Sequence, residues 1–426
     1  MCSSDLMSID DRGKRLIEFR VDRRGLLRRA SAGFPLLSLY GLLSEEARAA
    51  EVSRNPLSPR QPHHAPRAKS VIFLFMGGGP SQVDLFDPKP KLADHKKIPI
   101  KLPRITRDAT PNCRPSPFRF QQHGESGTWF SELMPYLSRH ADDLCIVRSV
   151  YCDQIEHSGA IRQMTTGDGV LPRPSVGAWS LYGLGSENTN LPAYVVMHGK
   201  KPRGGDPVWS SGFLPSVFQA TALDPRQAKP INNLQRSGEL TDPQQRTLLD
   251  ALRAANDRHA RTRPFDRDLS ARLESFELAY RMQVAAPEAF NIGLETKQTQ
   301  EAYGLNRQES KDYGRQCLIA RRLIERGVRF VQLFMRGQPW DTHSANTNGL
   351  RSVCGQTDGP IGALLTDLKR RGLFDSTLVQ WGGEFGRTPG AELRDGNTAK
   401  GNEGRRSAEH TSELQSLVNL VGRLLL

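Results

Sequence analysis

The chain has 426 residues, with 59 Lys and Arg against 46 Asp and Glu. At 37% hydrophobic and 25% charged, its composition is globular, neither collagenous nor disordered. Its one long apolar run lies near the N-terminus and is shorter than the roughly 20 residues needed to span a bilayer, which excludes a multi-spanning membrane protein.

The net charge is +13. Residues 1–50 hold nine basic and seven acidic residues, so a surplus of +11 belongs to the body. Such a surplus suits an anionic ligand or a membrane surface. No helix-turn-helix, zinc-finger spacing or block of interleaved Lys and aromatics is present, so nucleic acid is not an expected partner.

Residues 12–29 are rich in Arg and include Arg23-Arg24, followed by the apolar segment Ala30–Leu43 and the small-residue stretch Ala47-Arg48-Ala49-Ala50. A basic region, an apolar region and a small-residue exit make an export signal. The paired arginines point to the twin-arginine type, which carries folded proteins. Residues 1–50 are therefore expected to be an export signal. The mature chain is expected to be periplasmic or extracellular and to have no transmembrane segment. Residues 51–68, with Pro, Arg and His, read as a linker.

The body alternates strands and helices. Val71–Met76 is a continuous apolar run ending in Gly77-Gly78-Gly79-Pro80, the pattern of a buried parallel strand entering a glycine turn. Leu144–Val147, Ala193–Met197, Val328–Phe334 and Thr377–Trp381 read as four further strands. Gln245–His259, Leu269–Val284, Tyr313–Arg326 and Ile361–Arg371 carry apolar residues at helical spacing, and Gly372 stands where a helix-ending glycine belongs. Residues 201–243 read as a long loop or insertion. This alternation predicts an α/β fold, a mostly parallel central sheet with helices on both faces. Without Cys2, in the suspect first residues, five cysteines remain and no CxxC pair occurs, so no disulfide framework is read.

The last residues look foreign. From Arg406 the chain reads RSAEHTSELQSLVNLVGRLLL, which resembles translated sequencing-adapter DNA; Met1–Leu6 reads as the same kind of sequence. Residues 406–426 are expected to be a non-native tail, with a C-terminal amphipathic helix as the alternative. Residues 69–405 are then the folded domain, incomplete at its C-terminus.

Ligands of open α/β sheets bind beyond the carboxyl ends of the strands, and four clusters fall there. Asp84 and Asp87 follow the first glycine turn and are hard oxygen ligands for a divalent cation, although Asp87 before Pro88 also suits a turn. His157 and Ser158 are adjacent; neighbours on a helix do not face each other, so His157 reads as a metal or anion contact or as an ordinary hydrogen-bonded histidine. Asp341 and His343, two apart on a loop, can reach one metal. Glu384 stands past the last strand as a ligand or general base. Arg387 is either an anion clamp or the partner of Glu384 in an ion pair closing the turn.

The segments GGGPSQVDLFDPKP, HSGAIRQMTTG, WSSGFLPSVFQ, SFELAYRMQ, CLIARRLIERGVRFVQ, WDTHS and GGEFGRTP, in this order, resemble the domain of unknown function 1501 family over about residues 69–405. That family is grouped with the alkaline phosphatase-like superfamily. The resemblance implies an alkaline phosphatase-like α/β sandwich with a metal centre at the carboxyl edge of its sheet. It maps metal-ligand roles onto Asp84, Asp341, His343 and Glu384. Counting back ten residues from Gly167 puts His157, beside Ser158, in the nucleophile slot, so the usual Ser, Thr or Cys is absent there. Members usually continue past Gly-Arg into Asp-His, whereas here Gly404-Arg405 meets the tail.

The expected function is an exported metal-dependent hydrolase of phosphate or sulfate esters. Zinc, calcium or manganese ions would be held by Asp84, Asp341, His343 and Glu384. His157, Ser158 and Arg387 would be the reacting, orienting and charge-neutralising groups, and the substrate an anionic small molecule or glycan. The alternative is a non-catalytic anion- or glycan-binding protein that keeps the same fold.

Overall fold

Six consecutive residues, Ser70–Phe75, form the strand β1 at the middle of the sheet. They read as one apolar run because both faces of this strand are covered. Ile72 and Leu74 enter one core with Cys317, Leu318, Ile361 and Leu364. Phe73 and Phe75 enter a second core with Ile161, Ala178 and Leu181. Each such fully buried side chain contributes about 1.5–3 kcal/mol.

The structure is a computed structural model. It describes residues 55–94, 113–227, 230–231, 234, 240–261, 267–392, 404–407 and 417–422, and the short strands Ser8–Ile9 and Arg15–Leu16. The chain divides into two units, residues 1–54 and 55–426. In the first unit the two short strands pair antiparallel. The export signal expected over residues 1–50 otherwise lies outside the described residues, as does most of the tail expected over residues 406–426.

The second unit holds a seven-stranded sheet. Its strands in chain order are β1, β2 (Leu144–Val150), β3 (Tyr194–His198), β4 (Thr221–Leu223), β5 (Phe330–Phe334), β6 (Thr377–Gly382) and β7 (Leu417–Gly422). Their order across the sheet is β2-β7-β6-β1-β5-β3-β4. The five strands β6, β1, β5, β3 and β4 are mutually parallel. β7 runs antiparallel to both β6 and β2. Its Leu-Val-Asn-Leu-Val sequence pairs in the sheet although it belongs to the segment set aside as foreign. Phe75 pairs with Gly382 and with Phe334, and His198 pairs with Phe334, so the carboxyl ends of four strands are level.

The helices include α1 (Gln82–Leu85), α2 (His157–Thr166), α3 (Val176–Leu184), α4 (Asp242–Arg261), α5 (Arg267–Phe290), α6 (Lys311–Glu325) and α7 (Asn346–Arg370), with a further short helix at Lys297–Ala302. α6 and α7 cover one face of the sheet; α2 and α3 cover the other. This is the α/β architecture expected from the sequence. Gly372, at φ +66°, follows the end of α7 as expected. Two expectations are corrected. α7 starts fifteen residues before Ile361 and runs through Pro360; its first half buries Leu350, Val353 and Cys354, but these are sparse among Asn, Gly, Ser, Gln and Thr, and Gly359-Pro360 reads as a break. The segment 201–243 contributes β4 to the sheet edge; three residues are too few to show an alternation. No helix among the described residues is long and apolar enough to cross a membrane.

Candidate metal centre

Gly77-Gly78-Gly79 follows β1, and Gly78 and Gly79 take φ of +114° and +74°, a region glycine enters without steric cost. A Cβ on Gly78 would lie 2.4 Å from the Asp341 amide nitrogen, and one on Gly79 would lie 2.8 Å from the Phe385 ring. The glycines therefore let the loops after β5 and β6 close onto the loop after β1. α2 brings the fourth component. Glu156 caps its first turn by accepting from Ser158 N at 2.7 Å and Gly159 N at 3.1 Å, and Gly167 at φ +81° ends it.

His157, the first residue of α2, is buried between two carboxylates. Its Nδ1 lies 2.8 Å from Glu384 Oε1, and its Nε2 lies 3.5 Å from Asp341 Oδ2. His343 Nε2 lies 3.0 Å from Asp341 Oδ1. One ligand atom from each of His157, Asp341 and His343 falls within 4.8 Å of the others. The separations of 3.0 and 3.5 Å run to the two different oxygens of Asp341, and each is near the spacing of about 3.3 Å between donors that share one ion at about 2.0 Å. Glu384 Oε1 also accepts the Gly78 amide at 2.8 Å. Its Oε2 is buried with no hydrogen-bond partner among the described residues, a costly state for a carboxylate oxygen. Two imidazoles and one carboxylate fit a cation.

The electrostatics follow from this packing. Burial is the largest influence on His157 and opposes its charge, but Asp341 and Glu384 outweigh it and raise the pKa to about 9. Burial is also the largest influence on Asp341, and it favours protonation. The hydrogen bond from His157 and the charge of Arg387 overcome it and hold Asp341 well below the usual carboxylate range.

Arg387 is completely buried. Its Nη2 donates to Asp341 Oδ1 at 2.8 Å and to the Trp340 carbonyl at 3.1 Å, and its Nε donates to the Gly79 carbonyl at 2.7 Å. It does not close a turn with Glu384, and it does not face solvent as an anion clamp; it holds Asp341 and ties the three loops together. Ser158 stands half-buried in the first turn of α2. Asp87 pairs with Lys89 at 2.7 Å and with Arg148 at 3.4 Å.

Asp84 lies apart from the three-residue cluster. Its Oδ1 accepts from Arg405 Nη2 at 2.8 Å, and its Oδ2 accepts from Arg405 Nε at 2.7 Å, Ser81 Oγ at 2.6 Å and Asn346 Nδ2 at 3.0 Å. Both partners of this bidentate pair are fully buried. Burial, the largest influence on Asp84, favours protonation, but Arg405 prevails and its pKa is lowered. A guanidinium occupies the place a cation would take, so Asp84 is braced and does not face the cluster as a ligand. The brace reaches the cluster through Asn346, whose Oδ1 accepts from Thr342 Oγ1 at 2.6 Å, between Asp341 and His343. Of the four residues expected to bind metal, Asp341 and His343 come together, Glu384 stands behind them on His157, and Asp84 is engaged elsewhere. Sequence reasoning assigned no role to Arg405, Asn346 or Thr342; Thr342 lies within WDTHS and Arg405 in the Gly404-Arg405 pair, but no local pattern joins either to Asp84.

A family model described as a protein of unknown function (DUF1501) matches residues 68–405. Curated proteins yield no match to the chain. Among solved structures, similarity is found to a TAB5 alkaline phosphatase variant, with a histidine changed to glutamate and magnesium bound in the M3 site. The identity is 11% and the TM-score 0.32, covering 84% of this chain and 91% of that one. A histidine-to-aspartate variant of the same enzyme gives 12% identity and a TM-score of 0.31, with 84% and 92% coverage.

Proposed function

This chain belongs to the DUF1501 family, and we propose that its body, residues 69–405, is an exported, divalent-metal-dependent hydrolase of phosphate or sulfate esters. The supporting observation is the convergence of His157, Asp341 and His343 at the carboxyl edge of a parallel sheet, where α/β folds place their ligands. The pattern of residues 1–50 supports export.

His157, Asp341 and His343 would hold the ion. Two imidazoles with one carboxylate suit zinc or manganese better than calcium, which prefers oxygen ligands. A bound ion supplies Lewis acidity toward an ester oxygen and lowers the pKa of a water. Glu384 accepts the Nδ1 proton of His157 and so keeps Nε2 directed at the ion position. Arg387 keeps Asp341 ionised. The chain Asp84–Asn346–Thr342 braces the loop that carries Asp341 and His343. His157 is committed to two carboxylates, so the reading assigns attack to water rather than to a covalent route, and gives Ser158, next to His157, the role of an orienting hydroxyl.

One observation favours a non-catalytic anion- or glycan-binding protein as the second reading. His157, standing where the resemblance expects a nucleophile, is held by Glu384 and Asp341, and the chain carries a net charge of +13.

Elemental analysis of the purified chain, followed by turnover of aryl phosphate and aryl sulfate esters with and without a chelator, separates the readings. The hydrolase requires stoichiometric metal and chelator-sensitive turnover. Metal with tight anion binding and no turnover would establish the binding protein. A folded chain without metal after incubation with zinc or manganese would remove the hydrolase reading.

A further inference from the structure

The outward side of α3 is apolar. Val176, Trp179 and Tyr182, each three residues from the next, are exposed, where a surface helix normally carries polar residues. Phe213, 61% exposed, meets Trp179 edge-on with ring centroids 5.7 Å apart, and Trp179 meets Tyr182 at 5.8 Å. Gly212 packs against the backbone of Arg173 and Pro174, two residues along the chain from Leu171, 53% exposed. A contiguous exposed apolar patch marks an interaction surface.

Cations flank it. The Arg60 guanidinium lies 5.4 Å from the centroid of the Tyr182 ring. The Arg173 side chain is 48% exposed and only loosely paired with Asp168 at 3.7 Å. Both stand in a chain whose surplus charge is strongly positive.

The chemistry selects the occupant. A sugar stacks on flat, open ring faces. Here the rings cross at 80° and 73°, and their companions Val176 and Leu171 are aliphatic, which suits hydrocarbon. A symmetric pair of copies would tend to bring two basic rims together. Trp and Tyr favour the boundary between headgroups and acyl chains, and arginine binds phosphate oxygens.

We propose that this face seats the folded body on an anionic lipid bilayer, with Trp179 and Phe213 entering the headgroup–acyl boundary and Arg60 and Arg173 meeting lipid phosphates. The reading does not depend on the metal centre.

The test uses the full chain and phosphatidylcholine vesicles containing phosphatidylglycerol and brominated acyl chains, which quench tryptophan that reaches them. The apolar segment Ala30–Leu43 can itself bind vesicles, but no tryptophan precedes Trp129, so quenching reports the body. Trp209, Trp340 and Trp381 are buried, leaving Trp179 and the less exposed Trp129 as probes. Quenching is expected with anionic vesicles, weaker with neutral ones and at high salt. Trp179→Phe should remove at least half of it while vesicle association stays within about twofold. Phe213→Ser, which keeps the probe, should lower it about threefold or more. Equal quenching in wild type and Trp179→Phe would overturn the proposal, as would none at all. A dimer in vesicle-free solution that Phe213→Ser dissociates would overturn it in favour of self-association. Acidic-polysaccharide binding that Phe213→Ser abolishes, without vesicle quenching, would overturn it in favour of a glycan.

Discussion

Two buried charged clusters lie on different parts of the fold, and they differ in one residue type. Under the helices, Arg321 lies 2.7 Å from Glu295, 2.6 Å from Glu325 and 2.9 Å from Asp367. Arg371 and Arg322 complete the set, so three arginines face three acids. At the sheet edge, Asp341 and Glu384 face one arginine and two histidines. A guanidinium keeps its proton in any protein, whereas an imidazole can give its proton up. The first cluster is therefore a permanent clamp joining α6 to α7. The second can exchange a proton for a metal ion.

The largest expected effect is at the edge. His343→Ala should abolish stoichiometric metal binding and lower ester turnover by about a thousandfold or more, checked by elemental analysis and steady-state kinetics. Under the helices, Arg321→Met should cost about 1–3 kcal/mol in urea unfolding, because Glu295, Glu325 and Asp367 each lose a buried donor and keep, of the arginines, only Arg322 or Arg371, while metal content stays unchanged. That contrast would fail if either substitution produced the other's result.

A pH series sharpens the difference. In the metal-free protein the folded pKa of His157 is raised, from 6.5 to about 9. Its stabilisation is thus fully present below about 6.5 and is lost as pH rises through about 9, at most about 3 kcal/mol. Metal-free protein should lose stability across this window in urea titrations, and metal-loaded protein should not follow it. The smallest effect is expected for Glu384→Gln, which keeps the volume but weakens the hold on the His157 proton. Metal affinity should fall about 10- to 100-fold, measured by competition with a chromogenic chelator, and the metal-free protein should lose part of the His157 stabilisation.

Much of the fold was legible because its central strands are buried on both faces. Val71–Met76 and Ala193–Met197 stand out as unbroken apolar runs, and Val328–Phe334 and Thr377–Trp381 as mostly apolar ones, interrupted by Arg329 and Gln332 and by Gln380. β4 and the first half of α7 do not, since one is three residues long and the other is polar and glycine-containing. At the site, position after a strand end and the family resemblance together named His157, Asp341, His343 and Glu384. Neither could show that Asp84 would be taken by Arg405, 321 residues away, or that Arg387 would turn inward onto Asp341. The partner of a buried charge is chosen by the tertiary fold, and the local sequence carries no mark of it.

The bond from the Gly78 amide to Glu384 joins residues 306 apart. Considered in time, it means that the centre is among the last things the nascent chain can complete. β1 emerges early, yet its glycine turn waits for Asp341 and then for Glu384 before any ligand geometry exists. Pairings between such distant segments form slowly and leave intermediates exposed meanwhile. Loading of the proposed metal ion would thereby be confined to the nearly finished polypeptide, in whichever compartment folding is completed.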